Sequence, residues 1–574
     1  MWTAPYVLLD DARDGGASPR LYRDPVRIVR ADTPAEVRPA LAALRAARAA
    51  GLHAAGYLTY EAGAALAPRP TGAAGGGALL WFGLFAGYET PDPAWPDPAG
   101  AWIGEPMPQV ARDAYDASLA RVLDLIAAGD IYQANLTFAA TTRWAGDPFA
   151  LYARLREQAR AGYGALIDTG ATRFLSLSPE LFFALDGDAL TCRPMKGTAP
   201  RGGTADEDAR LTAALATDAK QRAENLMIVD LMRNDLSRVA SGVRVPDLFA
   251  VETYPTVHQM TSTVTATLAP DRDAVDVIAA LFPCGSITGA PKQRAMEVIA
   301  EVEGARVRGI YTGSIGRLDP NGDAMFNVAI RTLTLDDGHA TMGLGSGIVA
   351  DSDSAAEWEE CMAKSAFVTA GQRRFDLIET MAFDPDAGLL LLERHLARMK
   401  ASAEALGFAF DRHGARNELQ AATFRLRGAR RIRLLLARSG AVSIEVSPMP
   451  VSPETLAVAI VPLPVGVQDV RLDHKTSDRT FYDDARRAAG TDEVIFERPD
   501  GTLTEGSFTS LFVPRGDRLV TPPPGGLLPG VLRAELIATG RAIEAPLTRA
   551  DLTAGFFVGN AVRGLVRASI AVAK

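Results

Sequence analysis

The chain has 574 residues, more than one ordinary domain contains, so we expect two or three domains. Hydrophobic residues make up 48% of the sequence and charged residues 22%, which is typical of a globular protein with a large core. The 60 basic and 69 acidic residues give a formal charge of −9, which disfavours nucleic acids and acidic membranes as partners because clustered Lys and Arg recognise both.

Two local features narrow the class of protein further. No apolar run approaches the roughly 18 residues that cross a bilayer, and residues 1–5 lack the pattern of a secretory signal. Cys192, Cys284 and Cys361 are odd in number and widely spaced, which excludes a disulfide framework and a CxxC metal knuckle. We therefore expect a cytoplasmic protein with no nucleic-acid or membrane partner.

The first hundred residues mix strands with a helix. Apolar runs predict strands at residues 6–9 and 79–85, and an alanine-rich stretch predicts a helix at 35–50. Residues 91–98 are rich in proline, which fixes φ and removes a backbone donor, so we predict a stiff surface connector there.

A β-meander is predicted from residue 311 onward. Strands at 313–318, 324–335 and 339–349 are separated by Asn-Gly and Asp-Gly turns. Hairpins with few β-α-β crossovers predict antiparallel sheets with surrounding helices, and hence the α+β class.

A second unit begins near residue 375. A strand is predicted at 376–383 and its partner at 389–392. A helix follows, with apolar residues at helical spacing: Leu396, Met399, Ala403 and Leu406. The predicted domains are residues 1–374, with a subregion at 1–108, and residues 375–574.

A glycine-rich segment at residues 285–292 (GSITGAPK) precedes an apolar-periodic stretch at 295–302. Pro291 suits a first helical turn, and the small residues leave backbone N–H groups open to a ligand. A helix start of this kind favours anion binding. A purely structural helix cap is the alternative.

Carboxylates on two predicted helices form a second signal. Glu224 stands among apolar residues, where a buried carboxylate must be paired or bound to a cation. Glu357, Glu360 and Lys364 fall on one face of a later helix. Two carboxylates from different helices favour Mg²⁺, whereas the alternative for Glu360 and Lys364 is a solvated pair of about 0.3–0.5 kcal/mol.

Lys196 lies between a proline and a glycine, and by itself it is equally consistent with a solvated lysine. Together, however, these segments resemble the chorismate-utilising family of anthranilate, isochorismate, salicylate and aminodeoxychorismate synthases. The segments that carry the resemblance are GDIYQAN at 129–135, SPE at 178–180, ENLMIVDLMRND at 224–235, GSITGAPK at 285–292, GSGIV at 345–349 and EWEECMAK at 357–364.

The resemblance implies a role for each matched position. Glu224 and Glu360 would hold Mg²⁺, and Glu180 would be the general acid for the leaving 4-hydroxyl of chorismate. The implied substrate contacts are Gly197, Thr198 and Lys364 at the ring carboxylate, Arg331, Tyr311 and Gly345 at the enolpyruvyl carboxylate, and Thr288 along the pocket wall.

The residue at position 196 distinguishes members of the family. Relatives that make anthranilate or isochorismate usually carry alanine in a PIAGT-like segment, whereas 4-aminating enzymes carry lysine in PIKGT. Residues 194–198 read PMKGT here. The resemblance therefore implies that the Lys196 amine attacks C2 of chorismate and expels the 4-hydroxyl, and that ammonia then displaces the lysine at C4.

Two departures from the family pattern bear on the chemistry. The usual histidine of an HxxS segment is replaced by Gln259, with His258 one residue earlier, and an amide cannot shuttle a proton. No cysteine lies in a GxCxG-like nucleophile setting, so a separate glutamine amidotransferase subunit is implied as the ammonia source.

The second unit contains another ordered set of residue types. Lys475 precedes a helical segment, Glu505 starts a predicted strand at 505–512, and residues 527–533 form a glycine turn into a helix suited to phosphate. Each feature alone is common on protein surfaces. Together they resemble the class IV pyridoxal-phosphate family, which includes aminotransferases and aminodeoxychorismate lyase and has a two-subdomain fold.

This second resemblance implies a cofactor site. Pyridoxal 5'-phosphate would be attached to Lys475, with Glu505 beside its pyridine nitrogen so that the ring acts as an electron sink. The implied phosphate contacts are Arg398, the backbone of Val531 and Leu532, and the turn at Asn560 and Ala561. Leu532 stands where many relatives have threonine, which leaves only a backbone donor. A homodimer through this domain is a further expectation.

The motifs of the second unit do not separate a lyase from an aminotransferase. The fusion favours the lyase, because elimination of pyruvate from the aminated product would yield 4-aminobenzoate for folate. One alternative is an anthranilate-type synthase fused to an amino-acid aminotransferase. A catalytically inactive scaffold is the other, and it is disfavoured by the joint retention of Glu180, Lys196, Glu224, Glu360, Lys475 and Glu505.

Overall fold

The computed structural model describes residues 2–67, 77–91, 95–255, 257–304 and 306–571. The predicted connector at 91–98 falls partly outside these ranges, at residues 92–94. The chain forms two compact units. The first comprises Met1–Ala94, Glu105–Thr142 and Arg154–Ala370, and the second comprises Trp95–Gly104, Arg143–Ala153 and Gly371–Lys574.

The strands of the described residues, in chain order, are β1 (Tyr6–Asp10), β2 (Arg20–Arg23), β3 (Arg27–Ala31), β4 (His53–Leu58), β5 (Leu80–Phe85), β6 (Ala101–Ile103), β7 (Met107–Pro108), β8 (Gln133–Gly146), β9 (Tyr163–Asp168), β10 (Arg173–Ser178), β11 (Leu181–Asp186), β12 (Ala189–Arg193), β13 (Met195–Pro200), β14 (Ala240–Thr253), β15 (Val257–Leu268), β16 (Gly289–Ala290), β17 (Ser314–Leu318), β18 (Ala324–Asn327), β19 (Thr332–Asp336), β20 (His339–Ile348), β21 (Leu377–Asp384), β22 (Gly388–Leu389), β23 (Arg430–Leu436), β24 (Val442–Pro448), β25 (Thr455–Pro462), β26 (Glu493–Glu497), β27 (Leu503–Gly506), β28 (Ser510–Arg515), β29 (Arg518–Thr521), β30 (Ala542–Glu544), β31 (Phe556–Asn560) and β32 (Gly564–Ile570).

The helices of the same residues are α1 (Pro34–Ala49), α2 (Ala62–Leu66), α3 (Arg112–Ala127), α4 (Pro148–Ala159), α5 (Ala205–Thr217), α6 (Ala219–Leu236), α7 (Ala274–Leu281), α8 (Lys292–Val302), α9 (Ser354–Ala363), α10 (Leu392–Leu406), α11 (Arg412–Thr423), α12 (Val470–Asp473), α13 (Thr480–Ala489) and α14 (Val531–Ala538). Among the described residues, none of these helices has the length and apolar character needed to cross a membrane.

The first unit is built on two large antiparallel sheets. One has the strand order β16-β8-β20-β19-β10-β9-β1-β2, and the other has the order β13-β15-β12-β11-β18-β17-β4-β5-β3. Val7 and Ile167 of the first sheet share a buried core with Ala55 and Ile315 of the second, so the two sheets pack face to face.

Helices cover the outer face of the second sheet. Leu44 of α1, Val229 of α6 and Ile278 of α7 are buried in one cluster with sheet residues such as Phe82 and Phe326. This packing fixes α6, the helix that carries Glu224, against β13 and β15.

Three predicted strands differ from the observed structure. The strand predicted at 389–392 is only the short β22, because helix α10 begins at Leu392. The strand predicted at 505–512 is divided between β27 and β28, which a turn at 507–509 separates.

Residues 324–335 form two strands, β18 and β19, rather than one. The Val328 amide donates to the Glu180 carbonyl at 3.1 Å, and Arg331 adopts a φ of 49°. A left-handed residue cannot continue a strand, so the chain turns there.

The second unit contains a four-stranded sheet, β22-β21-β23-β24, and a larger sheet ordered β27-β26-β25-β32-β31-β28-β29-β30. The predicted apolar face of α10 is confirmed, since Leu396, Met399, Ala403 and Leu406 are buried. Full burial of one such leucine stabilises the fold by about 1.5–3 kcal/mol. The α+β prediction, with antiparallel sheets first and two subdomains after them, is confirmed.

Candidate active sites

A large cavity lies in each unit, and almost all predicted site residues line one of these two cavities. The cavity of the first unit has a volume of about 300 Å³ and is formed by strand ends together with α6 and α9. The predicted residues that line it are Glu180, Lys196, Gly197, Thr198, Glu224, Tyr311, Arg331, Gly345, Glu360 and Lys364.

Glu180 is held rigidly at the start of β11. The Ser178 hydroxyl donates to the Val328 carbonyl at 2.6 Å, and the Glu180 amide donates to the same hydroxyl at 3.2 Å. The Glu180 side chain is buried, and its Oε1 has no hydrogen-bond partner among the described residues. Burial raises the pKa of Glu180 to about 7, against the opposing effects of Ser286 and Lys196. A carboxyl group with this pKa can donate a proton near neutral pH.

The Lys196 amine lies deep in the same cavity. A Cβ on Gly347 would overlap this amine and would lie 2.6 Å from Nε2 of Gln133. Gln133 is fully buried, and neither of its amide atoms has a hydrogen-bond partner among the described residues. Gly347 therefore leaves room for the Lys196 amine. Gln133 is a neighbouring polar group that the sequence did not predict, although it belongs to the GDIYQAN motif.

The backbone next to Lys196 is fixed by Gln259. Its Nε2 donates to the Gly197 carbonyl at 2.9 Å, and its Oε1 accepts from the Thr198 hydroxyl at 3.2 Å. Gly197 has a φ of 100°, a region that other residues rarely adopt. His258 points elsewhere, with its Nε2 2.8 Å from Asp208.

Carboxylates and ammonium groups line the first cavity together. Burial raises the pKa of Glu224, and the charges of Glu357 and Glu360 add to the effect. Burial alone would raise the pKa of Glu360, but the Lys364 ammonium, 2.6 Å from its Oε1, holds that pKa below its usual value. Lys364 also donates to the Gly345 carbonyl at 2.9 Å.

Arg331 and Tyr311 form another part of the wall. Burial lowers the pKa of Arg331 and raises the pKa of Tyr311. Gly343 is required beside them, because a Cβ there would overlap the Tyr311 ring. A half-buried guanidinium with a buried phenol is suited to bind a carboxylate.

The position of Thr288 differs from the prediction. Its hydroxyl donates to the Cys284 carbonyl at 3.0 Å, and it does not line the cavity. The glycine-rich segment contributes Ser286 and Ile287 instead. The start of α8 does not line the cavity either, and Lys292 pairs with Asp235.

The cavity of the second unit has a volume of about 540 Å³. The predicted residues that line it are Arg398, Lys475, Glu505, Val531, Leu532, Asn560 and Ala561. The Lys475 Nζ donates to the Thr380 hydroxyl at 3.2 Å. Burial, reinforced by Arg398 and opposed by Glu379, lowers the pKa of Lys475 to about 7. A substantial fraction of this amine is therefore neutral and nucleophilic at physiological pH.

Glu505 is held by two donors from distant segments. The Tyr482 hydroxyl donates to its Oε1 at 2.6 Å and the Leu528 amide at 3.0 Å. Burial raises the pKa of Glu505 to about 8, while the Tyr482 bond opposes the shift. A cation in the cavity would favour its ionised form.

Arg398 is clamped by Glu379. Its Nε and NH2 contact the two Glu379 oxygens at 2.8 and 2.7 Å, and its NH1 donates to the Pro529 carbonyl at 3.0 Å. His395 Nδ1 lies 2.6 Å from Glu379, and its buried Nε2 has no partner among the described residues. Arg398 and His395 are therefore oriented by one buried carboxylate.

Two backbone turns complete the cavity wall. Helix α14 begins after Gly530 without a side-chain cap, so its first N–H groups are open. The Asn560 side chain donates to the Phe508 carbonyl at 3.1 Å and accepts from the Val562 and Arg563 amides, each at 3.0 Å. These turns and Arg398 provide the donors that a phosphate group needs.

Polar residues that support the wall of the second cavity carry no local sequence signal. The buried Glu493 accepts from the amide and hydroxyl of Ser507 at 2.8 and 2.6 Å and from the Thr509 hydroxyl at 2.8 Å. It fixes the turn between β27 and β28. Like Tyr482, it reaches its partners across long stretches of chain, which a local pattern does not reveal.

Comparison with known proteins gives two family matches. The model of chorismate binding enzymes matches residues 4–370, and the model of class IV aminotransferases matches residues 376–570. The solved anthranilate synthase component I from Streptococcus pneumoniae TIGR4 is 25% identical with a TM-score of 0.52, covering 64% of this chain and 93% of that one.

Two curated relatives each match somewhat less than half of this chain. Aminodeoxychorismate synthase component 1 from Klebsiella aerogenes is 46% identical over 257 residues, which is 44% of this chain and 57% of the relative. Anthranilate synthase component 1 from Haloferax volcanii is 42% identical over 272 residues, which is 46% of this chain and 52% of the relative. The chain thus spans about half the length of the curated relatives it matches.

Proposed function

Because this chain belongs to the chorismate-binding enzymes and continues into a class IV aminotransferase domain, we propose that it converts chorismate into 4-aminobenzoate in two steps. The first domain aminates chorismate at C4, and the second eliminates pyruvate from the product. The observation that carries this proposal is the presence of Lys196 and Glu180 in one cavity. The domain boundary at residue 374 is part of the same proposal.

Lys196 supplies the nucleophile in the first step. Its amine attacks C2, both ring double bonds shift, and the C4–O bond breaks. Glu180, with a pKa of about 7, donates the proton that lets the hydroxyl leave as water. Ammonia then attacks C4, both double bonds shift back, and the C2–N bond breaks, which restores the free lysine. The proton that the new ammonium group loses returns to Glu180.

The remaining residues of the first cavity bind the two substrate carboxylates. Arg331 and Tyr311, with the backbone at Gly345, are assigned to the enolpyruvyl carboxylate. Gly197, Thr198 and Lys364 are assigned to the ring carboxylate, and all of these residues line the cavity.

Magnesium fits as a shared ion. The described residues include no preformed group of three metal-ligating side chains. Glu224 and Glu360 provide hard oxygen ligands whose mutual repulsion a divalent cation would relieve. Mg²⁺ would therefore be held by these two residues and neutralise the carboxylate that the substrate brings.

Ammonia requires a second protein. The three cysteines are all buried, which does not suit a glutaminase nucleophile. We assign ammonia delivery to a glutamine amidotransferase partner, and a homodimer through the second domain belongs to the same proposal.

Pyridoxal phosphate fits the donor set of the second cavity. Arg398, the start of α14 at Val531 and Leu532, and the turn at Asn560 and Ala561 would hold the phosphate, and Glu505 would face the pyridine nitrogen. When bound, the cofactor withdraws electrons from the carbon that carries the substrate amine. Lys475 removes the C4 proton and returns a proton as the C3–O bond breaks and pyruvate leaves, which makes the ring aromatic.

The deciding experiment supplies the full chain with chorismate, ammonium, Mg²⁺ and pyridoxal phosphate, and measures 4-aminobenzoate and pyruvate. We expect both products in equal amounts. Lys196→Ala should abolish both while the cofactor stays bound, and Lys475→Ala should accumulate the aminated intermediate without pyruvate. Lys400→Ala, at an exposed residue paired with Glu404, is the matched control.

Two results would contradict the proposal. Fluorescent anthranilate as the main product would identify an anthranilate-type synthase, in line with the Haloferax relative. Undiminished amination by Lys196→Ala would exclude the covalent lysine.

A further inference from the structure

Two arginines flank one aromatic ring in the second cavity, and a third arginine lines the same cavity. The guanidinium of Arg486 lies 5.1 Å from the centre of the Phe508 ring, and that of Arg563 lies 5.3 Å from it. Arg431 reaches the same cavity from β23. This group comes from different elements than Arg398, which sits on α10 beneath Glu379.

The positive charge of this cluster is poorly compensated. Arg486 has one carboxylate neighbour, Asp483, at 3.3 Å. Among the described residues, neither Arg431 nor Arg563 forms an ion pair, and the buried Nε of Arg563 has no hydrogen-bond partner. Burial lowers the pKa of Arg563, and the nearby charges of Arg431 and Arg486 add to the effect. The Glu493 carboxylate opposes this lowering of the pKa only in part. Like charges and an orphaned donor in a cavity are costly unless an anion binds there.

Three other arginines of the cavity wall are paired with carboxylates: Arg398 with Glu379, Arg471 with Asp469 at 2.6 Å, and Arg433 with Glu445 at 3.8 Å. Arg479 forms no ion pair among the described residues, and its guanidinium donates to the Ser507 carbonyl. The uncompensated charge therefore lies around residues 507 and 508. Stacking on the Phe508 ring holds two of the guanidinium groups in place and leaves their N–H donors for a planar anion.

We propose that Arg431, Arg486 and Arg563 form a second anion subsite of this cavity. This subsite binds a carboxylate group of the amine substrate that is remote from the carbon bearing the amine. The inference rests on the proposed function, because the substrate of that lyase step has a ring carboxylate para to its amine. An amine substrate without such a remote carboxylate would leave the cluster unpaired.

The test compares two small ligands of the full chain loaded with pyridoxal phosphate. 4-Aminobenzoate carries the para carboxylate, and 4-aminobenzamide has nearly the same shape without the charge. Binding is followed through the visible absorbance of the cofactor, which reports only the second cavity. We expect 4-aminobenzoate to bind about tenfold more tightly or better, the effect of one charge-assisted contact.

Arg563→Gln should weaken 4-aminobenzoate binding about tenfold and leave 4-aminobenzamide binding unchanged. Arg431→Gln should also weaken 4-aminobenzoate binding. Because Arg431 lies at an exposed strand position, this variant shows whether the effect of Arg563→Gln comes from a folding defect. Arg487→Gln is the matched control, since its side chain is 74% exposed and pairs with Asp484 outside the cavity. Arg563→Lys should restore part of the affinity.

Equal weakening of both ligands by Arg563→Gln, or no preference for the carboxylate in the parent chain, would overturn the subsite. If the preference is present and lost in Arg563→Gln while the parent chain releases no pyruvate, the subsite stands and the lyase proposal fails. Pyruvate release that is insensitive to Arg563→Gln and Arg431→Gln would support the lyase and reject the subsite.

Discussion

The two cavities surround their lysines with opposite charges. Lys196 faces Glu180 and Glu224, and its charge lowers the pKa values that burial would otherwise raise further. Burial lowers the pKa of Lys475 to about 7, and the charge of Arg398 adds to the effect while that of Glu379 opposes it.

This difference matches the chemistry proposed for each cavity. A lysine among carboxylates can exchange protons with them while a hydroxyl leaves and ammonia enters. A lysine among arginines is kept partly neutral, which suits covalent attachment to an aldehyde and proton removal from carbon. In this proposal the first cavity binds carboxylates beside its own acids, whereas the second relies on an excess of arginine.

The strongest test of the comparison replaces each lysine by arginine, which keeps a positive charge at the position but removes the nucleophilic amine. Lys196→Arg and Lys475→Arg should each lower their own reaction by about 10³-fold or more, because a guanidinium is not deprotonated at working pH. Amination and pyruvate release are measured separately, with the aminated intermediate supplied for the second assay. Each variant should leave the other reaction intact.

Retention of amination within about tenfold by Lys196→Arg would contradict the comparison. In that case the positive charge alone would suffice, and the first cavity would contain an electrostatic lysine rather than a nucleophile.

The next largest effect is expected for Glu180→Gln. Loss of the general acid should lower amination about 10²- to 10³-fold. In the parent chain the rate should fall as the pH rises through about 7, since the acid loses its proton there. In the variant this decline should be absent. The free ammonia concentration must be held constant across the series, and a parent profile that is flat around pH 7 would exclude Glu180 as the acid.

Lys475 should give the opposite pH dependence. The rate at which the cofactor-free chain captures pyridoxal phosphate depends on the neutral amine, whose fraction rises with pH and levels off above about 7. Below that value the rate should fall about tenfold per pH unit. Stopped-flow absorbance measures it, and Lys400→Ala is the control. A rate independent of pH below 7 would mean that another step limits capture.

Strongly periodic elements and motif residues could be predicted from the sequence. The helix containing Leu396 and Leu406 was predictable because one apolar face at helical spacing must be buried. Glu180, Lys196 and Lys475 were predictable because each lies in a distinctive segment. The break that places Arg331 between β18 and β19 was not, since the apolar pattern at 324–335 continues through it.

Most of the site features that the sequence did not predict are long-range polar contacts. The bond from Tyr482 to Glu505 and the bonds from Ser507 and Thr509 to Glu493 join residues that are far apart in sequence. Thr288 lies within a matched motif, yet its hydroxyl is used by the backbone at Cys284. A motif therefore identifies a segment, and only the fold decides which of its side chains reach the cavity.

The smallest expected effect concerns the family histidine that this chain lacks. Gln259 fixes the backbone next to Lys196 through one donated and one accepted hydrogen bond. A neutral imidazole also has one donor and one acceptor, so Gln259→His should change the amination rate by about threefold or less. Gln259→Ala loses both bonds, each about 0.5–1.5 kcal/mol, and should lower the rate about tenfold. A large gain in Gln259→His, with a new pH dependence near about 6.5, would instead mean that the first cavity is short of a proton shuttle and that positioning is not the role of this residue.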